Sequence, residues 1–246
     1  MTTITAPTAE IPPLSPSEIL REIANTRQLV VGILVFTNVE VLDFCGPFEV
    51  LSVCRLGDLE QNDNITTSPF SVKLIAKTMD PVTTVGGMQV LPRMSIDNLM
   101  EKQDPILLDI LIVPGGVGTR TLRHDEQVLD FVRYQAARVH ILASVCTGSC
   151  ILAQAGSTVV PDGTVITTHW QTIDLFREWY PRLTIDRNHS VTKNDAGDLY
   201  TSAGISAGID MCFRLIKDVF GEETSQHAAK RMEYTYPKDF QRRIDF

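Results

Sequence analysis

A cysteine set among small residues, Ser144-Val145-Cys146-Thr147-Gly148, is the strongest chemical signal in the chain. A short apolar run from Val139 leads into it, and the residues after it read as a helix stopping at Gly156. Small-x-nucleophile-x-small is the spacing of a nucleophile elbow, where a strand-to-helix corner lifts the reactive atom out of a sheet. A thiol placed there sits near a helix N-terminus, whose free N–H groups favour the thiolate. Such a nucleophile needs a partner to manage protons and donors to hold developing charge. Asp43 is the candidate for the first task. The backbone around Gly115 and Gly116, with the N–H of Thr147, is the candidate for the second. His169, next to Trp170, is either a base near the thiol or a hydrogen-bonded structural histidine.

Each of these residues has a plainer reading. A lone cysteine is commonly a small buried hydrophobe, the role assigned to Cys45, Cys54, Cys150 and Cys212. Asp43 can cap a helix, and the paired glycines can serve a tight strand-to-helix turn.

The elements that must position these groups are legible as patterns. Gln28 to Phe36 is a nearly continuous apolar run rich in β-branched residues, the mark of a parallel strand buried on both faces. Leu108 to Val113 is a second such run. Phe70 to Ala76, Thr164 to Thr168 and Leu183 to Asp186 are further strands, and Val82 to Leu91 is a hairpin turning at Gly86-Gly87. Ser190 to Lys193 and Leu199 to Ser202 flank the turn Asn194 to Asp198. Helical spacing covers Phe48 to Cys54, Asp97 to Glu101, Asp125 to Arg138, Thr172 to Tyr180, Ile209 to Phe220 and Glu222 to Met232. Thr37 to Asp43 and Gln61 to Ser68 read as loops. The β/α alternation predicts one doubly wound α/β domain over 28–246. Residues 1–27 are read as an arm, 1–14, and a short helix opened by Ser15-Pro16-Ser17-Glu18 and ending near Asn25. In a parallel sheet, Asp43, Gly115-Gly116 and Cys146 all fall at carboxyl ends of strands and share one crevice.

Composition narrows the classes. The 246 residues are 43% hydrophobic and 21% charged, as in an ordinary globular protein. A formal net charge of -8 argues against nucleic acid or an acidic membrane as partner. The five cysteines are odd in number, contain no CxxC pair and lack zinc-knuckle spacing, so reduced thiols in the cytoplasm and no metal are expected. The glycines after the second strand do not form G-x-G-x-x-G and no P-loop lysine follows, so no cofactor is expected. With no basic segment followed by an apolar one at the start, no secretory leader is expected, and no apolar run approaches the length needed to cross a bilayer.

Taken together, Val113-Pro114-Gly115-Gly116, Ser144 to Ser149, Thr167-Thr168-His169-Trp170 and Gly204-Ile205-Ser206-Ala207-Gly208-Ile209-Asp210 resemble the ThiJ/PfpI family of the class I glutamine-amidotransferase-like superfamily. Val41-Leu42-Asp43-Phe44-Cys45-Gly46-Pro47 is similar to its isonitrile hydratase branch. The resemblance runs from Gln28 to Glu233. It implies a flavodoxin-like fold, a mostly parallel sheet with helices on both faces and, usually, a homodimer. It also implies catalysis by Cys146, Asp43 and Thr147 on a small molecule: hydration of an isonitrile to an N-substituted formamide through a thioimidate on Cys146. Cys45 departs from the threonine of the hydratases, and Ser202-Ala203-Gly204 replaces a glycine-richer run. The alternatives are another cysteine activity of the family (glyoxalase/deglycase or amidohydrolase) and a non-enzymatic redox or ligand sensor. The family's domain also occurs fused to helix-turn-helix regulators, but no room for such a module is read in this chain.

Overall fold

The structure, a computed structural model, describes residues 13–57, 67–101, 107–239 and 241–242. The arm expected before Ser15 and the loop expected from Gln61 lie largely outside these residues. In chain order the first elements are α1 (Pro16–Ala24), β1 (Leu29–Leu34), α2 (Val41–Val53), β2 (Phe70–Ala76), β3 (Val82–Thr83), β4 (Gln89–Val90), β5 (Met94–Ser95) and α3 (Ile96–Met100). Next come β6 (Ile110–Val113), α4 (Thr119–Leu122), α5 (Glu126–Ala136), β7 (Ile141–Val145), α6 (Gly148–Ala155) and β8 (Val165–Ile166). The chain continues with α7 (Ile173–Trp179), β9 (Thr184–Ile185), β10 (Val191–Lys193), β11 (Leu199–Ser202), α8 (Ala207–Phe220) and α9 (Glu222–Arg231).

The main sheet has the order β10-β11-β7-β6-β1-β2-β5. Every pairing is parallel except β10 with β11. The inner strands β6 and β7 are buried along their whole length, which is why their sequences are unbroken apolar runs rather than alternating ones. Two groups of helices flank the sheet: α1, α2, α8 and α9 pack on one another, as do α3, α4, α5 and α6. This is the doubly wound, flavodoxin-like arrangement expected.

From β1 the chain moves outward to β2 and β5, then returns to place β6 on the other side of β1. The order of winding therefore reverses between β1 and β6, and a crevice opens above that point at the carboxyl ends of the strands. At the opposite end Asp109 fastens the same two strands. Its carboxylate, almost fully buried, accepts from Arg27 Nη1 at 2.6 Å, Arg27 Nη2 at 2.9 Å and Val30 N–H at 2.7 Å.

The N-terminal helix has the expected capping box, Ser15 with Glu18, and Pro16 in its first turn. It docks on α8 by burying Leu20 and by donating from Arg21 Nε to the Val219 carbonyl at 2.6 Å. Two expectations need correction. The helix expected from Phe48 starts at Val41, with Glu40 as its N-cap, and carries Pro47 inside it. Gly46-Pro47 looked like a helix leader, yet Pro47 costs only the N–H that the Asp43 carbonyl would have received. The strand expected over Thr164 to Thr168 is confined to Val165–Ile166, which pairs with β9 in a separate two-stranded sheet.

Candidate active site

Cys146 occupies the corner between β7 and α6 with φ 57°, a left-handed conformation that a side chain ordinarily avoids. Holding a non-glycine residue there costs on the order of 1–3 kcal/mol, so the surroundings must over-determine it. They do so from both sides. Cys146 N–H donates to the Ser202 and Ala203 carbonyls at the end of β11, at 3.1 and 3.3 Å. The Cys146 carbonyl accepts from Ser149 Oγ and from Thr168 Oγ1, each at 3.1 Å, and these two hydroxyls lie 2.8 Å apart.

Asp43 lies in the first turn of α2 and is fully buried. It does not cap the helix, since Glu40 does. Its Oδ2 accepts the N–H of Gly115 at 3.0 Å, a bond across the switch point from the β1 side to the end of β6. Residue 115 has to be glycine for this approach: a Cβ there would stand 2.8 Å from Asp43 Oδ2 and 2.6 Å from the Thr147 nitrogen. Asp43 Oδ1 has no hydrogen-bond partner among the described residues. Burial pushes the Asp43 carboxyl up to about 7, against the pull of the Gly115 N–H and the Cys146 thiol, while Glu40 adds to the rise.

The thiol shifts in the same direction. Burial and then the Asp43 charge raise Cys146 well above its usual range, opposed by the Thr147 N–H and hydroxyl. The expectation of a favoured thiolate is therefore corrected. Helix α6 begins only at Gly148, and Cys146 is 5% exposed, so loss of water outweighs the helix end. The result is a buried carboxyl and a buried thiol that influence one another, each held above its usual range chiefly by loss of water.

The Gly116 N–H, expected as a donor for substrate, is engaged within the protein: it donates to Thr147 Oγ1 at 3.0 Å. Thr147 Oγ1 also lies 3.2 Å from the Gly116 carbonyl and 3.0 Å from the hydroxyl of Thr119. With Gly115 and Gly116 both occupied, the Thr147 N–H, directed at the thiol, is the remaining expected donor.

His169 stands at the cleft beside Cys146, half-buried. Its Nδ1 accepts the Gln171 N–H at 3.3 Å, so the neutral ring carries its proton on Nε2 and presents a donor, not a base. Burial and Arg242 lower its basicity further, against Glu40. Gly204 separates ring from thiol: a Cβ on it would be 2.6 Å from both Cys146 Sγ and His169 Cδ2.

Cys146 lines a cleft of about 250 Å³ together with Val117, Leu175, Trp179 and Ile205, and Glu40 and two arginines also line it. A larger hollow of about 490 Å³ beside the ends of β1 and β2 contains no cysteine or histidine. Among the described residues, no group of three or more His, Cys, Asp or Glu could hold a metal ion. No helix among them is long and apolar enough to cross a membrane.

Sequence reasoning missed four contributors: Glu40, Thr119, and the Ser149–Thr168 clamp. Thr119 had a faint signal, since a threonine three residues after a turn glycine can bond back to its carbonyl, as it does to Gly116 at 2.8 Å. Ser149 and Thr168 both stand in the motifs that carry the resemblance, but nothing in their spacing pairs them.

The model of the DJ-1/PfpI family matches residues 30–218. The isonitrile hydratase of Pseudomonas putida is 37% identical over 207 residues, covering 84% of this chain and 78% of that one. The HTH-type transcriptional regulator GbdR of Pseudomonas aeruginosa is 33% identical over 149 residues, 60% of this chain and 37% of the regulator. Among solved structures, a ThiJ/PfpI family protein from Pseudomonas syringae superposes with a TM-score of 0.69 at 24% identity, covering 94% of this chain and 84% of that one.

Proposed function

This chain belongs to the DJ-1/PfpI family, and from that membership we propose that it is a cysteine hydro-lyase that hydrates an isonitrile to an N-substituted formamide. The observation that carries the reading is the buried Asp43–Cys146 pair, in which an acid with a value about 7 lies beside the nucleophile. An isonitrile carbon must gain both a proton and a nucleophile at the same atom. A pair that holds one proton beside a sulfur provides both. Asp43 takes the thiol proton and delivers it to the terminal carbon while Cys146 Sγ forms the C–S bond, leaving the thioimidate R–N=CH–S–Cys146. Asp43 then removes a proton from water, whose oxygen adds to the same carbon, and the nitrogen takes up that proton. Collapse of the adduct breaks the C–S bond, releases R–NH–CHO and returns the proton to sulfur. The Thr147 N–H steadies sulfur as charge builds on it, and His169, which lines the cleft, is the second donor in this reading.

A sensor reading finds support in the regulator relative, but a peroxide sensor needs a readily ionised thiol, and Cys146 is held the other way. The test is cyclohexyl isocyanide, with release of the formamide followed directly. Turnover by the wild type and its loss in Cys146→Ala and Asp43→Asn are expected. No turnover by the wild type, or undiminished turnover in Cys146→Ala, would sink the proposal. Oxidation of Cys146 by stoichiometric peroxide, detected by mass, would favour the sensor.

A further inference from the structure

The cleft is electrically lopsided. Glu40 is close enough to raise Asp43, whereas Arg123 is held against Trp179 and Tyr180 and Arg120 lines the same cleft. Three residues apart around α4 and its C-cap, the two arginines project on one side. Arg27, Arg133, Arg182, Arg187 and Arg214 all face carboxylates. Arg120 and Arg123 form no ion pair among the described residues, although the chain carries a net charge of -8. Arg123 lies 3.6 Å over the ring of Trp179, its Nη1 donates to Tyr180 Oη at 3.3 Å, and its buried Nε has no partner among the described residues. Stacking on an indole fixes a guanidinium without neutralising it.

We propose that the substrate carries an anionic group, a carboxylate, at the far end of an apolar stem. The proposal rests on Cys146 as the attacking atom. The stem lies on Val117, Leu175 and Trp179, the carboxylate meets Arg120 and Arg123, and the isonitrile carbon reaches Cys146. Glu40 repels the carboxylate from the wrong end, so the cleft orients the molecule as well as holding it.

The probes are γ-isocyanobutyrate and its methyl ester, compared by kcat/KM in the full chain. The acid is expected to exceed the ester by about ten- to a hundredfold, the span of a charge-assisted contact. That ratio falls toward one in Arg123→Gln and Arg120→Gln, and in the wild type as salt is raised. An ester equal to or better than the acid, or an acid preference that both variants retain, overturns the proposal. A separate arm uses Cys146→Ala, with binding of N-formyl-γ-aminobutyrate and its methyl ester read from tryptophan fluorescence. If neither isonitrile is turned over but the N-formyl acid binds more tightly, the anion site stands and the reading of Cys146 fails. Equal binding of the two N-formyl compounds removes the anion site.

Discussion

Thr147 Oγ1 accepts the backbone N–H of Gly116 at 3.0 Å, so a hydroxyl joins the loop after β6 to the elbow after β7. The threonine after Cys146 thereby ties together the two strand ends that flank the candidate site. Thr147→Val keeps the shape and strands the Gly116 N–H. A stability loss of about 1–3 kcal/mol in denaturant unfolding is expected, with a large fall in kcat. Thr147→Ser should restore most of both. A valine variant with full activity would remove Thr147 from the machinery.

The pH profile follows from the Asp43–Cys146 pair. Below about 7 both groups are protonated, and above it the pair holds a single proton until the thiol itself ionises well above its usual range. Proposed turnover requires the one-proton state, so kcat/KM should rise through about 7 and then hold level. A profile flat from acid to alkaline pH would contradict this assignment.

Stability carries the opposite slope. Because the folded pKa of Asp43 is raised, the native state binds a proton that the unfolded state releases at lower pH. Stability therefore falls as pH climbs from the unfolded value, 3.8, to about 7. The full effect is a few kcal/mol, with about 4 as an upper bound. Asp43→Asn should flatten that decline, so its stability relative to wild type improves between acid and neutral pH. Parallel pH curves for the two proteins would refute it.

Gly204 is the spacer between thiol and imidazole. Gly204→Ala would set a methyl 2.6 Å from Cys146 Sγ and from His169 Cδ2. Turnover, and alkylation of Cys146 by iodoacetamide, should both fall by at least about tenfold, with circular dichroism unchanged. Undiminished alkylation would show that the methyl is accommodated.

Asp109 provides a control far from the cleft. Asp109→Ala strands the Val30 N–H and removes the carboxylate from the half-exposed Arg27, and should cost about 1–3 kcal/mol. kcat for the protein that remains folded should not change. A loss below ~1 kcal/mol would mean that water replaces the carboxylate.

Much of the site was legible because parallel strands buried on both faces write themselves as apolar runs, and their ends are where chemistry gathers. Cys146, Asp43 and the paired glycines could be placed in one crevice on that ground alone. The start of α2 was not legible: Pro47 resembles a leader, whereas the helix is capped by Glu40 and runs through Pro47. The thiol's shift was equally hidden, because burial is a property of the packed molecule and not of the elbow motif. The edge strand β5, two residues long, is too short to leave a periodic trace.

His169 belongs to a segment outside the main sheet's ladder. Among the described residues its flanking strand pairs with β9 alone, and Thr167 N–H reaches β11 through the Thr201 hydroxyl at 2.7 Å. Arg242 holds it from outside, with Nη2 2.6 Å from Thr167 Oγ1 and 3.2 Å from the Thr168 carbonyl. The cleft thus has a stiff floor built from β1, β6 and β7, and one wall secured by side chains. If the proposed hydration takes place there, altering residues 165–180 should change which substrates fit while the chemistry at Cys146 stays as it is.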